Sequence, residues 1–182
     1  MTPRSDAELV RCVRDGSLEA YGELVQRYQS AVFNTCYRVL GRRLEAEDLA
    51  QETFIRGYRR LETFDAGRPF GPWIRRIAVN LCLNHLRRPG LQDAPLDQIQ
   101  ERWLRSSRGD PVAILVRAEE AERVWQAIQE LPPHYRAVIE LRHFQDLSYA
   151  EIGEVLGIPL NHVRTHLHRA RKALAQRLRD DG

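Results

Sequence analysis

Residues 146–174 read Asp146-Leu-Ser-Tyr-Ala-Glu-Ile-Gly-Glu-Val-Leu-Gly-Ile-Pro-Leu-Asn-His-Val-Arg-Thr-His-Leu-His-Arg-Ala-Arg-Lys-Ala-Leu174. Ser148 and Glu151 form a capping box, in which each side chain accepts from the other residue's backbone N–H. Ile152, Val155 and Leu156 give this short helix an inward face. Gly157 supplies a left-handed stop, and Pro159 prevents the helix from continuing. A second helix is predicted from about Asn161, its expected N-cap. Val163, Leu167, Ala170 and Leu174 step by four, three and four, forming one apolar stripe. Arg164, Thr165, His168, Arg169, Arg171 and Lys172 are left outward, and no acidic residue occurs from Leu160 to Arg179. Packing needs the stripe but not the one-sided charge. The pattern predicts a helix-turn-helix whose second helix lies on nucleic acid. A merely solvated basic face is the alternative, disfavoured by its place on the second helix of a turn-linked pair. His162 and His166 share a face but lack a neighbouring Glu or a third ligand, so no metal is expected.

The 182 residues fit one large or two small domains, and 43% hydrophobic content is ample for packed cores. No apolar run approaches the ~18 residues of a membrane span. The polar start Met-Thr-Pro-Arg-Ser-Asp-Ala-Glu lacks a signal peptide's apolar centre, so a cytoplasmic protein is expected. Cys12, Cys36 and Cys82 are widely spaced and each falls in a helical pattern, which predicts buried free thiols. The net charge of +3 conceals a division. Residues 118–182 hold nine basic and ten acidic residues, but six of the nine lie between Arg164 and Arg179. A segment acidic at its start and basic at its end suits one face for DNA and another for protein. No nucleophile–base pair, phosphate loop or paired carboxylate emerges, so neither an enzyme nor a cofactor is expected.

Helical periodicity runs through almost the whole chain. Ser5 with Glu8 caps a first helix that stops at Gly16, and Ser17 caps a long second helix ended by Gly41. A third, with Glu45, Glu47 and Asp48 in its first turn, runs to about Leu61 and turns Leu49, Ala50, Thr53, Phe54 and Leu61 inward. After a loop from Glu62 to Gly71, Pro72 is expected to open a fourth helix carrying Trp73, Ile74, Ile77, Ala78, Leu81 and Leu86. Residues 89 to about 110 read as a linker with a short helical turn around Leu96–Leu104. Asp110-Pro111 then starts a helix that Leu131-Pro132-Pro133 breaks, and Tyr135–Phe144 form the next. The fold class is all-α: two small helical domains joined by a flexible linker, the second containing the helix-turn-helix.

Two further segments narrow the reading. One is Glu130-Leu-Pro-Pro-His-Tyr-Arg-Ala-Val-Ile-Glu-Leu-Arg142, followed by Leu147-Ser-Tyr-Ala-Glu-Ile. The other is Asp48-Leu-Ala-Gln-Glu-Thr-Phe-Ile-Arg-Gly-Tyr58, followed by Phe70-Gly-Pro-Trp-Ile-Arg-Arg-Ile-Ala-Val-Asn-Leu81. In this order they resemble the two conserved parts of an extracytoplasmic-function (ECF, group 4) sigma factor of bacterial RNA polymerase. The resemblance implies region 2 over residues 1–88, a linker over 89–110 and region 4 over 111–182. It implies binding to core RNA polymerase and initiation at promoters with −10 and −35 elements. It also implies control by an anti-sigma factor, which could hold the protein near the membrane without insertion.

Residue by residue, the resemblance gives Asp48, Gln51 and Glu52 to the clamp helices of the largest polymerase subunit. It gives the flap of the second-largest subunit to region 4. The −10 element falls to the loop from Asp65 to Gly71 and the helix after it. There Phe64, Phe70 and Trp73 could stack on a flipped base, with Trp73 and one of the phenylalanines serving equally as core residues. Asn80 and Asn84 could read base edges, while Arg75 and Arg76 meet phosphates. The −35 element falls to Arg164, Thr165, His168, Arg169, Arg171 and Lys172. Asn161-His-Val-Arg-Thr-His166 departs from the family's usual Gly-Thr-Val-x-Ser-Arg, placing His166 where an arginine is common and leaving the preferred promoter sequence open. A decoy that sequesters an anti-sigma factor without binding DNA would not need the basic helix. A simple helix-turn-helix repressor would leave Asp48–Tyr58 unexplained.

Overall fold

The structure, a computed structural model, describes residues 4–88 and 111–180, with side chains over 4–88 and 120–179. The expected turn at Leu96–Leu104 and the Asp110 cap lie outside the described residues. The chain divides into two compact units, residues 1–92 and 93–182. Every regular element among the described residues is helical. No described helix is long and apolar enough to cross a membrane.

The first unit holds α1 (Asp6–Arg14), α2 (Leu18–Leu40), α3 (Arg43–Arg60) and α4 (Phe70–Leu86), with a 3-10 turn at Leu61–Thr63 after α3. Its helix ends follow local chemistry. Ser5 and Glu8 exchange the two bonds of a capping box, Ser17 accepts from the Ala20 N–H at 3.2 Å, and Gly41 ends α2 at φ 73°. Helix α2 is central, packing on α1, α3 and α4. Leu9, Val10, Leu24, Val32, Leu40, Ile74 and Leu86 are buried between these helices, each burial contributing about 1.5–3 kcal/mol. Gly57 lets α3 approach its neighbours: a Cβ there would lie 2.6 Å from Ile74 Cδ1 and 3.1 Å from the Tyr21 hydroxyl. Burial pushes the Tyr21 phenol well above its usual value, and its hydroxyl donates to the Phe54 carbonyl. Helix α4 starts at Phe70, not at Pro72 as expected. The third position of a helix has no intrahelical N–H bond to lose, so the proline is tolerated there.

The second unit holds α5 (Pro111–Gln129), α6 (Pro133–Ile139), a π-helical turn at Glu140–Phe144, α7 (Tyr149–Leu156) and α8 (Leu160–Asp180). The helix expected over Tyr135–Phe144 thus begins two residues earlier and widens in its second half. Around it runs a buried polar network. Arg136 donates to the Gln129 carbonyl at 2.9 Å and to Gln129 Oε1 at 3.1 Å. Glu140, 1% exposed, accepts from Gln145 at 3.2 Å. Buried charge is tolerated only when so bonded. The chain then turns through Asp146 at φ 53° into the Ser148–Glu151 capping box. Gly157, at φ 65°, ends α7. Gly153 faces the following turn so closely that a Cβ would lie 2.9 Å from the Ile158 carbonyl oxygen. Asn161 does not cap α8, which already starts at Leu160; the Pro159 carbonyl takes the N–H groups of His162 and Val163. Helix α8 packs on α5, α6 and α7.

Candidate nucleic-acid interface

Helix α8 buries Val163, Leu167 and Ala170 completely. Arg164, Thr165, His168, Arg169, Arg171 and Lys172 are all exposed. Thr165 also donates its hydroxyl to the Asn161 carbonyl at 2.9 Å, which fixes its rotamer. The helix therefore presents a continuous band of donors with no carboxylate on it. Such a band attracts phosphates in a salt-dependent way, and its arginines match the two acceptors of guanine.

His166 does not belong to that band. It is half-buried and turned toward α6, its ring centroid 5.1 Å from His134 and 5.8 Å from Tyr135, with His162 at 6.4 Å. The departure from the family pattern at this position therefore meets α6, not the outward face. Burial, then His162 and Arg169, push the His166 imidazole below its ordinary value. Burial, then His166, do the same to His134. The folded unit accordingly takes up protons less readily than the unfolded chain. The stability these rings contribute is complete above about pH 6.5 and declines as pH falls below it. Melting temperatures of the full chain at stepped pH check this: His166→Gln, neutral throughout, should flatten the acid decline. Equal declines in both proteins would reject the assignment.

In the first unit Phe64, Phe70 and Trp73 form one aromatic cluster. Ring centroids lie 4.7 Å apart for Phe64–Trp73, 5.4 Å for Phe70–Trp73 and 5.8 Å for Phe64–Phe70. Phe70 is 0% and Phe64 5% exposed, which corrects the expectation that either ring stacks on a base. They form a floor, and only Trp73 is partly open. Along α4, Trp73, Arg76, Asn80 and Asn84 recur at steps of three, four and four and share a face. Asn80 and Asn84 are exposed, and Asn84 Oδ1 accepts from Arg87 at 3.2 Å. Arg75 lies round the helix from this face, close enough to Tyr28 to influence its phenol.

On α3, Asp48 and Gln51 are exposed, while Glu52 is half-buried in an ion pair with Arg56 at 2.6 Å. Sequence reasoning missed what lies beside them: Leu44 is 76% and Ile55 47% exposed. Leu44, Asp48, Gln51 and Ile55 step by four, three and four along a stripe opposite buried Ala46, Ala50, Thr53 and Gly57. A second apolar spacing outside the core stripe was the available signal.

Residues 24–90 match the family model for Sigma-70 region 2, and residues 121–174 match that for Sigma-70, region 4. The chain is 38% identical over 178 residues to the ECF RNA polymerase sigma factor SigW of Bacillus subtilis, covering 94% of this chain and 95% of that protein. It is 34% identical to the RNA polymerase sigma-H factor of Pseudomonas aeruginosa, covering 98% and 96% respectively. Among solved structures, CnrH in complex with the cytosolic domain of CnrY matches with a TM-score of 0.64 and 27% identity, over 97% of this chain and 99% of that one. RpoE of Bartonella quintana, solved with the anti-sigma factor NepR, matches with a TM-score of 0.69 at 17% identity, over 91% and 100%, a likeness of fold alone.

Proposed function

The chain belongs to the extracytoplasmic-function sigma factors of bacterial RNA polymerase, initiation factors and not enzymes, and from that membership we propose how its two units divide the work. The second unit reads the −35 element through Arg164, Thr165, His168 and Arg169, while Arg171 and Lys172 hold phosphates. The first unit meets the −10 element with Trp73, Asn80 and Asn84 on one face of α4, backed by the loop at Asp65–Gly71. Arg76 meets the backbone. Phe64 and Phe70 support Trp73 from beneath. Asp48, Gln51 and Glu52 bind the clamp helices of the largest polymerase subunit, flanked by Leu44 and Ile55, and the second unit engages the flap of the second-largest.

The observation that carries this reading is the carboxylate-free, exposed band on α8, opposite its buried stripe. The energetics explain why two units are needed. Phosphate contacts attract any sequence, losing roughly 0.9 log units per tenfold rise in salt for each phosphate neutralised. Base contacts add on the order of 1–3 kcal/mol each. Neither unit alone gains enough, but both mounted on polymerase gain by effective concentration. The free chain should therefore bind promoters poorly.

Control by an anti-sigma factor is part of the proposal. It is supported by CnrH, a similar chain solved with the cytosolic domain of a second protein. The decisive experiment adds the full chain to sigma-free bacterial core polymerase on a promoter library. Specific start sites sharing one −35 and one −10 sequence are expected. Their absence would sink the proposal.

A further inference from the structure

Carbonyls at the end of a helix look outside its regular ladder for a partner, although the Leu61 carbonyl of the 3-10 turn also takes the Phe64 N–H at 3.1 Å. Arg14, on the last turn of α1, supplies one from 47 residues away. Its Nη2 donates to the Leu61 carbonyl at 2.9 Å and to the Phe64 carbonyl, with the Glu62 carbonyl at 3.4 Å. Immediately beyond this clamp the chain closes on itself. Asp65 Oδ1 accepts from the Gly67 N–H at 2.9 Å, and the Asp65 carbonyl accepts from the Arg68 N–H at 2.9 Å. Its far end is pinned as well: a Cβ on Gly71 would lie 2.7 Å from Tyr28 Cε1, and the Tyr28 hydroxyl donates to Asp6 at the start of α1. The Tyr28 phenol is pushed up to about 12, first by burial and then by Asp6. Both ends of the exposed turn at Asp65–Pro69 are thus tied to α1, a helix outside the residues matched to region 2.

We infer that Arg14 is a positioning residue for the −10 recognition loop, holding residues 64–68 in the shape that receives an unpaired base. This rests on the −10 role proposed above for that loop. A loop ordered in advance loses less entropy on binding. A guanidinium bridging several carbonyls at a helix C-terminus is also favoured by the helix dipole.

The test uses full chain assembled with core polymerase, comparing wild type, Arg14→Ala, Arg14→Gln and Arg14→Lys. Three quantities are read: crosslinking of the loop to a single-stranded −10 oligonucleotide, core affinity, and amide hydrogen exchange over residues 64–68. Arg14→Ala should lower oligonucleotide affinity on the order of tenfold and speed exchange in the loop, with core affinity unchanged. Arg14→Lys, still a cation with several donors, should recover most of the loss, and Arg14→Gln less. A general structural role would instead lower core affinity and crosslinking together, which would overturn the inference. Unchanged loop exchange and crosslinking in Arg14→Ala would overturn it too. Failure of the wild-type loop to crosslink would refute the −10 assignment itself, and the inference with it.

Discussion

Arg164→Ala combined with Arg169→Ala removes promoter-specific initiation while the chain stays folded and bound to core polymerase. Both guanidiniums are exposed on α8, and the core beneath rests on Val163, Leu167 and Ala170. Among the described residues what their removal changes inside the second unit is the charge of Arg169 beside His166, which works against protonation of that ring. A bidentate arginine–guanine pair supplies about 1–3 kcal/mol of discrimination, so losing two lowers selectivity by on the order of 10² to 10⁴. Arg171→Ala with Lys172→Ala should behave differently. Phosphate contacts carry no sequence information, so every promoter weakens alike and the salt dependence falls by up to about 1.8 log units per decade. Run-off transcription from promoters with intact and scrambled −35 elements, across a salt series, separates the two variants. If the arginine pair can be removed without narrowing the gap between intact and scrambled promoters, α8 is not the reader.

The second large effect lies on α3. Leu44→Asp with Ile55→Asp should cut affinity for core polymerase by on the order of 10² to 10⁴, because burying each side chain in a partner is worth about 1.5–3 kcal/mol. The free chain should melt at nearly the same temperature, since both side chains already face water. This contrast between stability and affinity identifies an interface and not a core. Glu52→Gln should matter less, because Glu52 is already engaged by Arg56. Competition for core against an unrelated sigma factor measures the loss. Unchanged affinity would remove the α3 stripe from the interface.

How far the candidate site was legible depends on the range of the signal. The α8 face could be read directly: its stripe and its charged residues alternate within a single helix, and the exposed set is the one its periodicity predicts. The −10 face could be read only in part. Asn80 and Asn84 are outward as spacing suggests, but an aromatic residue next to a loop fits a stacking platform and a core equally well. Only the packing of Phe64, Phe70 and Trp73 on one another separates them. His166 illustrates the same limit. As a substitution in a motif it pointed to altered specificity, yet its ring is turned to His134 and Tyr135 on α6.

By itself, the sequence determined the helices, most of their ends and their inward stripes. Capping boxes at Ser5 and Ser148, left-handed glycines at positions 41 and 157, and steps of three and four all act within a turn or two of the chain. The tertiary structure alone decided which off-stripe side chains remain reachable. Leu44 stays in water, Phe70 disappears beneath Trp73, and Arg14 reaches the Leu61 carbonyl across 47 residues. The physical reason is that burial and hydrogen bonding at these positions are set by partners on other helices, and no local pattern encodes a partner that far along the chain.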